Sequence, residues 1–162
     1  MSNKGRKTVK CEGCGESFEA DFWTVVRGDL DADLKDLIIN GEFDLLICPY
    51  CQKVFVCEDI FIYIDPGAEI LAFVMPERTD NREELLKKMK EDYESVKASL
   101  LSEKTMNFPP QYLFGIAKLA AILASDRDRE EETDVIAFTA ESAGLVNRKI
   151  SPSFARDNNV PF

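Results

Sequence analysis

Four cysteines stand in two pairs, Cys11-Glu12-Gly13-Cys14 and Cys48-Pro49-Tyr50-Cys51, with thirty-three residues between them. Cysteines at this spacing do one of two kinds of chemistry. As thiolates, two pairs can close a tetrahedron of sulfurs around a soft metal ion. As a dithiol, the second pair alone has the C-x-x-C form of a disulfide-exchange catalyst. The two readings differ in the element they require after Cys51. An exchange dithiol needs its first cysteine at a helix start, where exposed N–H groups and the helix dipole stabilise the attacking thiolate. Here the chain continues QKVFVCEDIFIYID, with Val54 and Val56 alternating with Lys53, Phe55 and Cys57. The period is two, which predicts a strand and removes that electrostatic device.

The favoured reading is therefore one structural Zn2+ per chain, held by Cys11, Cys14, Cys48 and Cys51. Gly15 directly after the first pair permits a tight turn whose N–H groups can point at sulfur. A site with four protein ligands is closed, so it argues for structure over catalysis, and no catalytic residue is assigned. Two alternatives stay open: a thiol-disulfide oxidoreductase using Cys48 and Cys51, and metal-free thiols. The fifth cysteine, Cys57, is expected to be a buried free thiol beside Phe55.

Composition removes other chemistries. The 162 residues include no histidine, so a Ser–His or Cys–His pair and an imidazole ligand are all impossible. A net charge of −10 opposes a general affinity for nucleic acid or anionic membrane. A zinc-ribbon nucleic-acid reader is thus a disfavoured third reading. Lys4, Arg6, Lys7 and Lys10 are expected to form a solvated N-terminal tail. No apolar leader is visible, which places the chain in the cytoplasm, where thiols stay reduced. Asp29, Asp31, Asp33 and Asp36 crowd a helix start, where acids oppose the dipole. The run DRDREEETD, residues 126–134, reads as a solvated linker. Trp23 is expected in the sheet core.

The elements that must position the cysteines are read from pattern. Phe18 to Val26 is a strand rich in aromatic and β-branched residues. A short helix comes next, capped by Asp29 or Asp31, with Leu34, Leu37 and Ile38 on its apolar face and Asn40-Gly41 at its end. Residues 42–76 read as three strands, the first running into Cys48 and the second covering Lys53 to Cys57. A hairpin turn is expected at Asp65-Pro66-Gly67-Ala68. From Asp80, with Glu83 three residues on, an amphipathic helix carries Leu85, Met89, Tyr93, Val96 and Leu100. Pro109 and Pro110 precede a second helix over residues 111–124, and a third runs from Thr133 to about Ser142, stopped by Gly144. Residues 147–162 show no clear periodicity.

Residues 9 to about 76 resemble the CpXC domain, a bacterial and archaeal family. The residues that carry the resemblance are Cys11 and Cys14, Cys48-Pro49-Tyr50-Cys51 after a short acidic stretch, and Tyr63-Ile64-Asp65 soon after. The resemblance implies a zinc-ribbon-like fold and names no activity. Two positions depart from the pattern: the first pair, CEGC, lacks the proline, and Gln52 stands where a glycine usually comes after the second pair.

The fold expected is α+β, a small antiparallel zinc-ribbon-like sheet (residues 1–78) followed by a helical C-terminal segment (79–162). The function expected is that of a non-enzymatic structural-zinc protein working through protein–protein contacts. At about 1.5 Å per residue, a helix over 111–124 reaches about 21 Å, short of a membrane's roughly 30 Å hydrocarbon core. Its apolar side chains, among them Ile116 and Leu119, face nearly every direction. The expectation is a homo-oligomer or partner interface formed by residues 111–124, against burial within one chain.

Overall fold

The structure is a computed structural model that describes residues 1–102 and 108–161. In chain order it runs β1 (Asn3–Lys10), β2 (Ser17–Arg27), α1 (Ala32–Asn40), β3 (Leu45–Ile47), β4 (Val54–Val56), β5 (Phe61–Asp65) and β6 (Ile70–Met75). Then come α2 (Arg82–Ser102), β7 (Gln111–Phe114), α3 (Ile116–Ser142) and α4 (Pro152–Asn158). Five strands form one sheet in the order β1-β2-β5-β6-β7, and β3 and β4 form a separate two-stranded ribbon.

The α+β class holds, but the main sheet is mixed rather than purely antiparallel. β1–β2 and β5–β6 are antiparallel, whereas β2–β5 and β6–β7 are parallel. The cause is connection length. Parallel neighbours need a crossover, and here α1 with the ribbon carries the chain from β2 to β5, while α2 carries it from β6 to β7.

β6, between β5 and the edge strand β7, has all six of its residues, ILAFVM, buried. A strand covered on both faces reads as a continuous apolar run. On one face Ile70, Ala72 and Val74 join Val26, Phe61 and Tyr63 against Leu34 and Ile38 of α1 and Leu119 and Leu123 of α3. On the other, Leu71, Phe73 and Met75 meet Met89 and Tyr93 of α2. The Phe73 ring stacks on Tyr112 at 5.3 Å and meets Tyr93 edge-on at 6.1 Å. The Val96 and Leu100 side chains, expected on the same α2 face, lie outside the described residues, as do residues 103–107.

Several expectations are corrected. The basic opening is not a tail but β1, paired with β2 along its length. Its poor strand formers are compensated across the pair, Arg6 bonding Asp21 at 2.9 Å, while Lys7 reaches Asp59 at 3.0 Å. Lysine on an edge strand also discourages unwanted pairing. Residues 42–76 hold four strands, not three.

The segment 111–124 is not one helix. Gln111–Phe114 pairs with β6, and Gly115, at φ 88°, turns the chain before α3 begins at Ile116. The segment's apolar side chains are then covered within the chain. Tyr112 and Phe114 pack on the α2 side, Leu113 and Ile116 on the other, and Leu119 and Leu123 are fully enclosed. The need for a partner at 111–124 disappears, because a strand and a helix divide the side chains that a single helix would have left exposed all round.

The expected linker 126–134 is helical, part of a single α3 that runs on to Ser142, so no separate helix starts at Thr133. Residues 147–162 include α4, capped by the Ser151 side chain accepting from the Phe154 N–H. What holds α4 is a buried ion pair. Asp126 is 2% exposed and receives Arg156 at 2.6 Å and Arg129 at 3.2 Å. Arg156 also donates to the carbonyls of Ala68 and Glu69 in the β5–β6 turn.

Candidate metal centre

Both cysteine pairs lie on turns of the same construction. At the end of β1, the Cys11 N–H donates to the Glu16 carbonyl at 2.8 Å and the Gly15 N–H to the Cys11 carbonyl at 2.9 Å. After β3, the Cys48 N–H donates to the Lys53 carbonyl at 3.0 Å and the Gln52 N–H to the Cys48 carbonyl at 2.9 Å. Each turn needs one residue in the left-handed region. Gly15 supplies it at φ 78° and Gln52 at φ 59°. The absence of glycine after the second pair therefore leaves the turn intact but strained, since a side chain in this region costs on the order of 1 kcal/mol. Gln52→Gly should raise unfolding stability by roughly 0–0.5 kcal/mol, after allowance for glycine's extra unfolded-state entropy. Urea denaturation checks this; a loss of stability would show that the Gln52 side chain contributes more than its backbone strain costs.

The twin turns bring the four predicted sulfurs together, all within 4.8 Å of one another. Cys11 Sγ lies 3.6 Å from Cys51 Sγ, and Cys14 Sγ 3.7 Å from Cys48 Sγ. A tetrahedron with metal–sulfur bonds of about 2.3 Å has sulfur–sulfur edges of about 3.8 Å, so these residues fit one zinc-sized ion. Cys11 and Cys48 are buried, while Cys14 and Cys51 are exposed. The backbone N–H groups of Cys14 and then Gly13 pull the Cys11 thiol down to about 6. Cys14 also receives an N–H, from Glu16, yet partial desolvation of its sulfur and the neighbouring sulfurs of Cys48, Cys51 and Cys11 push it up to about 12. Four thiolates this close need a cation to be charged together.

A separate apolar cluster supports the centre. Val9, Phe22 and Phe55 pack with Cys11 and Cys48, and Phe18 meets Phe55 edge-on at 6.3 Å. Cys57 joins this cluster beside Phe55, half-buried rather than buried as expected. Burial and then Asp59 push its thiol up. It stands outside the four-cysteine group. After Cys51 the chain enters a turn and then β4, not a helix. The helix-start feature of an exchange dithiol is missing at Cys48.

Around the start of α1, Asp29 pairs with Arg27 at 2.8 Å, and Asp31 accepts from Ser2 instead of capping the helix with its side chain. Asp33 lies in the first turn of α1, and Asp36 is exposed further along. Trp23 is half-buried against the core with the Lys4 ammonium 4.3 Å from its ring centroid. Sequence reasoning missed Asp44, whose carboxyl is raised to about 7 by burial and by the charges of Glu58 and Asp59. A carboxyl raised above its unfolded value stabilises fully below about pH 4, and this contribution is lost as pH climbs toward 7. Asp44→Asn should thus stabilise the protein at pH 8 by on the order of 1–2 kcal/mol and change little at pH 4. Thermal melts of both proteins at the two pH values check the sign; equal shifts at both would contradict it.

Also unforeseen is the outer face of the β3–β4 ribbon. Leu46 and Phe55, directly paired, point into the cluster, while the flanking pairs Leu45–Val56 and Ile47–Val54 lie exposed. The only signal was a strand pattern apolar at every position, which periodicity alone reads as burial on both sides.

Among the described residues, no helix is long and apolar enough to cross a membrane. Neither a curated protein nor a solved structure matches the chain. A family model, that of the CpXC protein, matches residues 9–134. The match extends well past the cysteine turns and the Tyr63-Ile64-Asp65 strand, through β7 and into α3. With both cysteine pairs and most of the fold inside that match, the chain belongs to the CpXC family.

Proposed function

We propose that Cys11, Cys14, Cys48 and Cys51 hold one structural Zn2+ and that the protein acts without catalysis, through contacts with other proteins. The observation that carries this reading is the closed set of four converging sulfurs on two matching turns. When bound, the ion would neutralise the thiolates and tie β1 to the β3–β4 ribbon, and four protein ligands would leave no position open for water or substrate. The exposed aliphatic face of the ribbon supports a role in contact rather than chemistry, since such patches mark interaction surfaces. Reduced thiols of this kind suit the cytoplasm.

Metal analysis of protein purified under reducing conditions tests the first half. About one zinc per chain is expected, and all five thiols titratable without a chelator would overturn it. Thiol-disulfide exchange is the competing reading, and the strand after Cys51 speaks against it. With the sulfurs held by metal, reduction of a small disulfide by glutathione should show no turnover above background. Turnover that disappears in Cys48→Ser would replace the structural reading with the enzymatic one.

A further inference from the structure

We infer that the outward face of the distal half of α3 docks a basic, amphipathic segment of a different protein. This rests on the reading that the protein works through protein contacts, and it places one contact away from the cysteine centre.

Beyond Asp126, α3 presents an open surface formed by Asp128, Glu131, Glu132, Val135 and Ile136. Val135 is 66%, Ile136 49% and Phe138 74% exposed. Positions 128, 131, 135 and 138 keep helical spacing, so the carboxylates and the apolar side chains share one stripe.

The stripe is acidic, with Arg127 and Arg129 beside it as the nearest basic residues of α3. Asp128 and Glu132 are like charges four residues apart on this stripe, an arrangement that destabilises a helix. None of Asp128, Glu131 and Glu132 has an ion pair among the described residues. The last turn of α3 has no basic residue and carries Glu141, although a helix C-terminus favours cations. An occupant with Lys or Arg beside the carboxylates and apolar side chains over Val135 and Phe138 satisfies both needs.

A second copy fits less well. Two such stripes would bring acid against acid, and many of this chain's own cations are engaged. Lys4 lies over Trp23, Arg6 is paired with Asp21, Lys7 with Asp59, Lys87 with Glu91 and Lys97 with Glu94. Arg148 and Lys149 lie beside the stripe, sharing a surface with Thr133, Ile136 and Ala137 rather than with Asp128, Glu131 and Glu132.

The probes are two synthetic helical peptides, one of leucine and lysine and one of leucine and glutamate, titrated against the full chain by fluorescence anisotropy. The lysine peptide should bind, and both Glu131→Gln/Glu132→Gln and Phe138→Ser should weaken it by about tenfold or more. Glu83→Gln/Glu84→Gln, which removes the same charge from the exposed start of α2, should leave binding unchanged. Circular dichroism and zinc content matching wild type show that the variants are folded. Equal binding to all variants, equal binding of the glutamate peptide, or no binding at all overturns the proposal. So does a wild-type dimer that Phe138→Ser dissociates, which makes a second copy the occupant. Specific binding by wild type that holds no zinc when purified under reducing conditions leaves this proposal standing while the metal reading fails its own test.

Discussion

Cys48→Ser is expected to empty the metal site and unfold the region around it while the helical core survives. Cys48 is fully buried, bonded through its backbone to Lys53, and packed in the cluster of Val9, Phe22 and Phe55. Structural zinc contributes an apparent 10–16 kcal/mol or so in small zinc domains. A three-residue ribbon with one buried cross-strand pair has little else to hold it. Zinc should fall from one per chain to near none, and amide protection should vanish from β3, β4 and the end of β1. Protection in β5 and β6 should persist, because two other clusters bury those strands against α1, α2 and α3. A chelator, or acid that reprotonates the thiols, should reproduce the same local loss in the wild type. Full zinc content with an unchanged melting curve in Cys48→Ser or Cys14→Ser would refute the assignment.

Arg156→Met should be the most damaging substitution outside the metal centre. It leaves Asp126, 2% exposed, with only the partial compensation of Arg129 at 3.2 Å, and strips two donors from the carbonyls of Ala68 and Glu69. Removing one partner of a buried pair costs about 3–5 kcal/mol, whereas replacing both with apolar residues can be nearly neutral. Adding Asp126→Leu to Arg156→Met should therefore restore much of the loss in urea unfolding. A single variant within about 0.5 kcal/mol of wild type would mean the pair contributes little beyond surface charge.

The sequence exposed some of this design and concealed the rest, for physical reasons. The sulfur cluster was legible because metal ligands are few in type and fixed in spacing. The strand after Cys51 was legible because Val54, Phe55 and Val56 are β-branched and aromatic and draw no helical face. β1 was not, since KGRKTVK has no apolar alternation and is held by acids that lie elsewhere in the chain, at Asp21 and Asp59. β7 was hidden because Tyr112, Leu113 and Phe114 run without a break into the apolar start of α3, and only the Gly115 turn separates them. The acidic run that continues α3 resembled a linker because its one buried member, Asp126, is neutralised from thirty residues away. α4 did show a signature, Ser151 at the cap and Pro152 in the first turn, but seven residues are too few for a helical period to declare itself.

The bonds that Arg156 makes to Ala68 and Glu69 span 88 and 87 residues, and that distance sets a timetable during synthesis. At translation rates of about 5–20 residues per second, Arg156 emerges after Ala68 by on the order of ten seconds. The hairpin of β5 and β6 forms in microseconds once its residues are free. It must then wait, first for β7 to cover the edge of β6 and later for Arg156 to clasp its turn. During that interval an apolar strand edge stands open, so nascent chains halted before residue 111 should be the species that chaperones hold and that aggregates when they do not.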